Sequence, residues 1–202
     1  MKSVHSNKNI GGNTHANHSA MRLYSNDYER LYLNRNERER FYSQVMKASR
    51  EIRFLGLILL YTGCRLSEAL NITAGDIQWS EGIVAIRSLK KRNTKHIREV
   101  PVPFDFLNGL QKPHLGSKQK MVGMSRTTAW RQIKTIMCKA GITGTHATPK
   151  GLRHSFGVHC AFSNIPMPLC QRWMGHADMR TTAIYYQIVG KEEREMAERM
   201  WK

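Results

Sequence analysis

Residues 148–186 read TPKGLRHSFGVHCAFSNIPMPLCQRWMGHADMRTTAIYY, and the fold turns on how this stretch is read. Thr148 followed by Pro149 is a helix start, a capping hydroxyl ahead of a ring already set to helical φ. Pro166 and Pro168 open a second helix, and Gly175 stops it. Asp178 is placed to cap a third, which carries Tyr185 and Tyr186. Within this frame Arg153 follows Lys150 by one turn, so both side chains point the same way. His154 is turned about 100° aside, which weakens it as a partner on that face. His176 follows the glycine stop, and Tyr185 lies nine residues beyond it.

Upstream, Gly63 ends an apolar helix spanning 51–61, and Arg65 follows at once in TGCRLSEAL, residues 62–70. An arginine opening a buried segment is costly unless it is paired. Glu68, three residues on, is the partner the spacing offers. Before that helix, Asn34 and Glu37 form a capping-box pair for a helix with Phe41, Val45 and Met46 facing inward. Between 76 and 103 the period changes to that of strands. Residues 83–86 and 98–103 make a small antiparallel sheet, its second strand closed by prolines and therefore at an edge. Lys90, Lys91, Arg92 and Lys95 lie at its basic tip. Ser125 caps a helix that Gly141 stops, with Ala129, Ile133, Ile136 and Met137 inward and Arg126, Thr127 and Arg131 outward. The C-terminal run from 191 is an amphipathic helix with Met196, Met200 and Trp201 on its apolar side. Residues 1–28 show no apolar periodicity and read as a flexible basic leader, with 29–202 as the folded domain. The fold class is mainly α with a small antiparallel sheet.

Charge points to the partner. The 202 residues carry 32 Lys and Arg against 15 Asp and Glu, a net +17. A domain this basic is drawn to polyanions, most often nucleic acid. No apolar run approaches the roughly 18 residues that a membrane span needs. An apolar secretory segment is missing from the N-terminus as well, so a cytoplasmic protein is expected. The four cysteines, Cys64, Cys138, Cys160 and Cys170, form no CxxC pair and stand in apolar stretches. They read as buried free thiols rather than disulfides or zinc ligands. The acids are few and scattered, so a two-metal nuclease is not expected, and no metal or other cofactor is assigned. Cutting a phosphodiester without a metal needs a placed nucleophile, neutralised non-bridging oxygens and a protonated leaving group. Guanidinium forks can take the metal's role, because they match phosphate oxygens bidentately and stay charged.

The order TGCRLSEAL, basic hairpin, PKGLRHSF and WMGHADMRTTAIYY resembles the tyrosine recombinases of the phage integrase family, from about Leu33 to the C-terminus. The resemblance implies the catalytic-domain fold of that family. It makes Arg65 and Arg153 the two active-site arginines, His176 the His-or-Trp position and Tyr185 the nucleophile, with Tyr186 structural. Lys150 stands where the family usually has His. The family's hairpin lysine falls on Lys90, with Lys91 and Lys95 as neighbouring alternatives. The implied reaction is a cut that leaves a 3′-phosphotyrosyl link and a free 5′-hydroxyl, reversed by the 5′-hydroxyl of a partner duplex, with no metal and no ATP. The implied partners are double-stranded DNA, a homotetramer assembled on two DNA sites from chains that can be monomers when free, and accessory DNA-bending proteins. The short leader in place of a DNA-clamping domain resembles the catalytic-domain-only members such as the fimbrial-switch invertases. Two other readings stay open: a DNA-binding regulator that lost turnover, and a type IB topoisomerase-like enzyme.

Overall fold

The computed structural model describes residues 22–89, 96–110, 116–187 and 191–201. Helix α1 (Arg35–Met46) begins with the expected capping box: the Glu37 amide donates to Asn34 Oδ1 and the Asn34 amide to Glu37 Oε2, both at 2.9 Å. Phe41 and Val45 are buried as the periodicity requires, whereas Met46, expected inward, is 37% exposed at the fraying end of the helix. Helix α2 (Arg50–Thr62) buries Phe54, Leu55 and the run 57–60 and packs against α1 and the later helices α5 (Arg126–Lys139) and α6 (Pro149–Phe162). It is the central rod of the domain, which is why its sequence is apolar nearly all round.

Gly63 ends α2 with φ +58, and a β-carbon there would lie 2.5 Å from the Phe156 ring. Two constraints therefore meet at one position: a left-handed backbone and a close approach of α6. The short helix α3 (Leu66–Ala69) follows. Strands β1 (Ile77–Gln78), β2 (Ile83–Arg87) and β3 (Ile97–Pro101) form an antiparallel sheet in the order β1-β2-β3. Ile83 faces Pro101 and Arg87 faces Ile97, so β3 is an edge strand as its prolines demand. The first strand, of two residues, carries too short a pattern to be read beforehand. The hairpin tip with Lys90, Lys91, Arg92 and Lys95 lies outside the described residues, as do residues 1–21.

Helix α4 (Phe104–Asn108) leads to α5, where Ser125 Oγ accepts from the Thr128 amide at 3.1 Å. Ala129, Ile133, Ile136 and Met137 are buried, and Arg126, Thr127 and Arg131 are exposed, each as its spacing demands. Thr148 caps α6 through the Gly151 amide at 3.1 Å. Helix α7 (Met167–Met174) ends on Gly175 at φ +67. Asp178, expected to cap the next helix, accepts from the Arg180 amide at 2.9 Å, but Met179 takes the N-cap position and the helix, α8 (Arg180–Ala183), is one turn long. Tyr185 and Tyr186 fall on the 3-10 turn Ile184–Tyr186 that continues it, not on a full helix. The last elements are α9 (Lys191–Ala197) and a 3-10 turn at Glu198–Trp201.

The core has two parts. The larger gathers around α2, the sheet and α5; the smaller joins α6 and α7 to Tyr185 and to Leu23 and Tyr32 from the N-terminal side. Leu23 is buried although it belongs to the stretch read as leader, so residues 22–28 include packed chain. Cys64, Cys160 and Cys170 are buried free thiols, but Cys138, on the outer side of α5, is exposed. Among the described residues no helix is long and apolar enough to cross a membrane.

Substituting Gly63 by Ala adds a left-handed backbone penalty of roughly 1–2 kcal/mol and overpacking of roughly 1–3 kcal/mol. Denaturant unfolding of Gly63→Ala should therefore show a loss of about 2–5 kcal/mol relative to the unsubstituted chain. An unchanged midpoint would mean that α2 and α6 do not meet there.

Candidate active site

Local rules place each candidate side chain. Arg65 is the N-cap residue of α3, held by Glu68 at the third helical position: its amide donates to Glu68 Oε2 and its Nη1 to Glu68 Oε1, both at 2.9 Å. The Arg65 side chain keeps 29% of its surface open. Glu68 is buried and accepts a second guanidinium, since Arg98 Nη2 donates to Oε2 at 2.7 Å. Burial would raise this carboxyl, but the hydrogen bond and charge of Arg98, with help from Arg65, hold it below the usual carboxylate range. It stays ionised and fixes both arginines.

Arg153, on α6, is buried. Its Nη1 donates to Gly63 O at 2.5 Å and its Nη2 to Met174 O at 2.8 Å, so it ties the end of α2 to the end of α7. Burial, and then the like charge of Arg65, lower its pKa to about 10, which still leaves it a cation at neutral pH. His176 follows the α7 stop, with Nδ1 2.9 Å from Thr182 Oγ1. Its Nε2 is buried with no hydrogen-bond partner among the described residues. Tyr185 is completely buried, and its ring stacks on His176 with centroids 6.1 Å apart and planes 14° apart. Burial raises its phenol pKa, against the pull of the Arg153 and Arg65 charges. Arg65, Arg153, His176 and Tyr185, spread over 120 positions of sequence from 65 to 185, are thus brought to one place. Tyr186 plays a structural part, as its hydroxyl donates to Ile165 O at 2.5 Å and anchors the turn.

One expected member stands apart. Lys150 is exposed at the start of α6; its charge reaches the site through His154, whose pKa it depresses. The hairpin lysine, Lys90 or its neighbours, lies outside the described residues.

The structure also brings in two side chains, one that the sequence sets aside and one that it does not single out. His154 Nδ1 lies 3.1 Å from the Tyr185 hydroxyl. Position on the helix explains this. His154 and Gly157 are three residues apart and share a face. Tyr185 lies flat on that face, where a β-carbon at Gly157 would come within 2.6 Å of its ring. A glycine in mid-helix is the signal that could have revealed the close approach. Arg98 is the other. Strand alternation puts it on the inner side of β3 with Val100, an unusual place for a charge.

Fold and site together define a buried cluster of arginines, histidines and one tyrosine on a mostly helical domain with a three-stranded sheet. The family model for the phage integrase family matches residues 21–192, and the chain belongs to that family, with the architecture of a tyrosine recombinase catalytic domain. A tyrosine recombinase XerA from Pyrococcus furiosus is 31% identical over 159 residues, which cover 73% of this chain and 54% of that protein. The chain spans about half the length of the curated relatives it matches. Among solved structures, a XerA recombinase superposes with TM-score 0.71 at 24% identity, covering 85% of this chain and 65% of that one. A XerH site-specific recombinase bound to difH substrate in a pre-cleavage complex superposes with TM-score 0.65 at 20% identity, covering 89% and 60%.

Burial and neighbouring cations depress the pKa of both imidazoles. For His154 the causes are burial, then Lys150 and Arg153, and the value is about 4. For His176 they are burial, then Arg153 and Arg65, and the value is about 3. An unfolded histidine takes a proton near 6.5, so between about pH 6.5 and these lower values the unfolded chain binds more protons than the folded one. The stability tied to both groups is complete above about pH 6.5 and is lost as pH falls. NMR titration should find both rings neutral at about pH 5, and unfolding midpoints should drop between about pH 7.5 and 5, less steeply in His176→Gln. A His176 ring that titrates near its ordinary value would contradict the buried site.

Proposed function

We propose that this chain is a DNA strand transferase that cuts and rejoins DNA at specific sites through Tyr185. The observation that carries this reading is the meeting of three guanidinium groups, Arg65, Arg98 and Arg153, with one buried carboxylate, Glu68. The cluster has excess positive charge, and a backbone phosphate is the anion that would balance it. Relatives named tyrosine recombinases, and a fold neighbour bound to its difH DNA substrate, support the same partner.

In this reading Arg65 and Arg153 hold the non-bridging oxygens and His176 Nε2 bonds to the phosphate. The Tyr185 oxygen bonds to phosphorus while the bond to the 5′-oxygen breaks. Lys90, or Lys91 or Lys95 beside it, gives that oxygen its proton. His154, neutral and 3.1 Å from the phenol, is the base in reach of the tyrosine's proton. The 3′-phosphotyrosyl link keeps the energy of the phosphodiester, so rejoining needs no ATP, and the arginines serve where other enzymes use a metal. A partner strand's 5′-hydroxyl reverses the step, giving integration, excision or inversion. Tyr185 is fully buried, so the turn that carries it has to shift before attack.

Arg126, Thr127 and Arg131 on the exposed side of α5, with the basic hairpin tip, form the DNA-contacting surface of this proposal. The exposed Met200 and Trp201, 77% and 64% open, suit docking on a second copy within a tetramer on two DNA sites, with accessory DNA-bending proteins assisting. The buried nucleophile and the lysine at position 150 also favour a second reading, a DNA-binding regulator without turnover.

A nicked suicide substrate separates the two. The enzyme reading expects an SDS-stable protein–DNA adduct that is lost in Tyr185→Phe, kept in Tyr186→Phe, and slowed on the order of a hundredfold or more in Arg153→Ala. Absence of the adduct on every site tried, together with tight binding, would leave the regulator. Relaxation of arbitrary plasmids would instead indicate topoisomerase-like action. Affinity should fall steeply with salt, and Arg126→Ala should flatten the log–log slope by about one.

A further inference from the structure

The returning strand of the hairpin hides a cation for which the proposed reaction has no direct use. Arg98 has no exposed side-chain surface and sits on the apolar face of the sheet, opposite Ile86 and on the same side of β3 as Val100. A guanidinium is placed in such surroundings only where several acceptors meet it. Two do. Nη2 donates to Glu68 Oε2 at 2.7 Å, and Nε donates to Trp173 O, in the last turn of α7, at 2.7 Å. The next carbonyl along, Met174 O, is the one that Arg153 holds. Two guanidiniums therefore cap the negative end of α7, immediately before His176. Gly175 makes room for this, since a β-carbon there would lie 3.0 Å from the Arg98 guanidinium carbon.

We infer that Arg98 is a positioning residue, one fork that holds Glu68 beneath Arg65 and the end of α7 beneath His176 in a single geometry. This rests on the reading that Arg65 and His176 grip the scissile phosphate. Arg98 joins three arms of the site at once: the α2–α3 corner, the α7 stop, and the strand that returns from the lysine-bearing tip. A lysine there would keep the charge but offer no planar fork with which to span a carboxylate and a carbonyl together.

The test uses the full chain and a nicked suicide duplex. Arg98→Lys should bind this DNA within about twofold of the unsubstituted chain, because the surface cations that set phosphate affinity are untouched. Its single-turnover cleavage at saturating protein should fall on the order of ten- to a hundredfold, the scale of a misplaced catalytic group. Because Arg98 acts through Glu68, the same change should cost much less in a Glu68→Gln background. Undiminished cleavage in Arg98→Lys, or losses that simply multiply in the double variant, would overturn the inference while leaving the strand-transfer reading intact. Should Arg98→Lys fail to fold, NMR of Glu68→Gln decides: the Arg65 and Arg98 Nε–H signals and the His176 ring signals move together if one network joins them. An unmoved His176 ring would overturn it. Failure of the unsubstituted chain to form any adduct would sink the strand-transfer reading, and the NMR arm would still decide whether Arg98 holds the two arms.

Discussion

A buried guanidinium that accepts no compromise in its partners organises this domain. Arg153 lies inside the protein and donates to two backbone carbonyls, one at the end of α2 and one at the end of α7. Each charge-assisted bond of this kind is worth about 1.5–3 kcal/mol, and leaving the charge without them would cost more. The ends of both helices must therefore be in place at once. Gly63 and Gly175 allow that, because each stops its helix in a left-handed conformation beside the cluster. With those ends set, Arg65 stands two residues after one stop, at the start of α3, and His176 follows directly after the other. The positions of two candidate catalytic groups follow from satisfying a third.

The same cluster is electrically incomplete. Glu68 serves Arg65 and Arg98, and the acceptors that meet Arg153 among the described residues are carbonyls, not a second carboxylate. Proteins seldom leave such an excess uncompensated, and here it coincides with two imidazoles held neutral by burial and by nearby cations, Lys150 and Arg153 for His154 and Arg153 and Arg65 for His176. Neutral rings add hydrogen-bonding capacity without adding further charge. Tyr185 lies in this field, with burial raising its pKa and the arginine charges opposing that rise.

Much of the architecture was legible in the residues because it depends on short-range rules. The Asn34–Glu37 box, the Ser125 and Thr148 caps, the glycine stops and the buried stripe of α5 each involve groups within a few positions of one another. The edge position of β3 follows from its prolines. Failures came at the margins of elements or across the fold. Met46 stands in the last turn of α1, where periodicity no longer binds, and Cys138 lies on the exposed flank of α5. The helical angle from Arg153 turns His154 away from that face, whereas its neighbour arrives from a turn 31 residues further on.

Taken alone, the order of residues determined where helices start and stop, which faces are apolar, and which arginines, histidine and tyrosine fall within the family's motifs, since caps, periodicity and motif spacing act along the chain. Only the tertiary structure decided that Glu68 binds two arginines, that Arg98 turns inward to meet the end of α7, and that Tyr185 rests flat on Gly157 against His154. Those contacts join segments 28 or more residues apart, apart from the closer pairing of Glu68 with Arg65. Their geometry depends on how the helices pack rather than on any local preference.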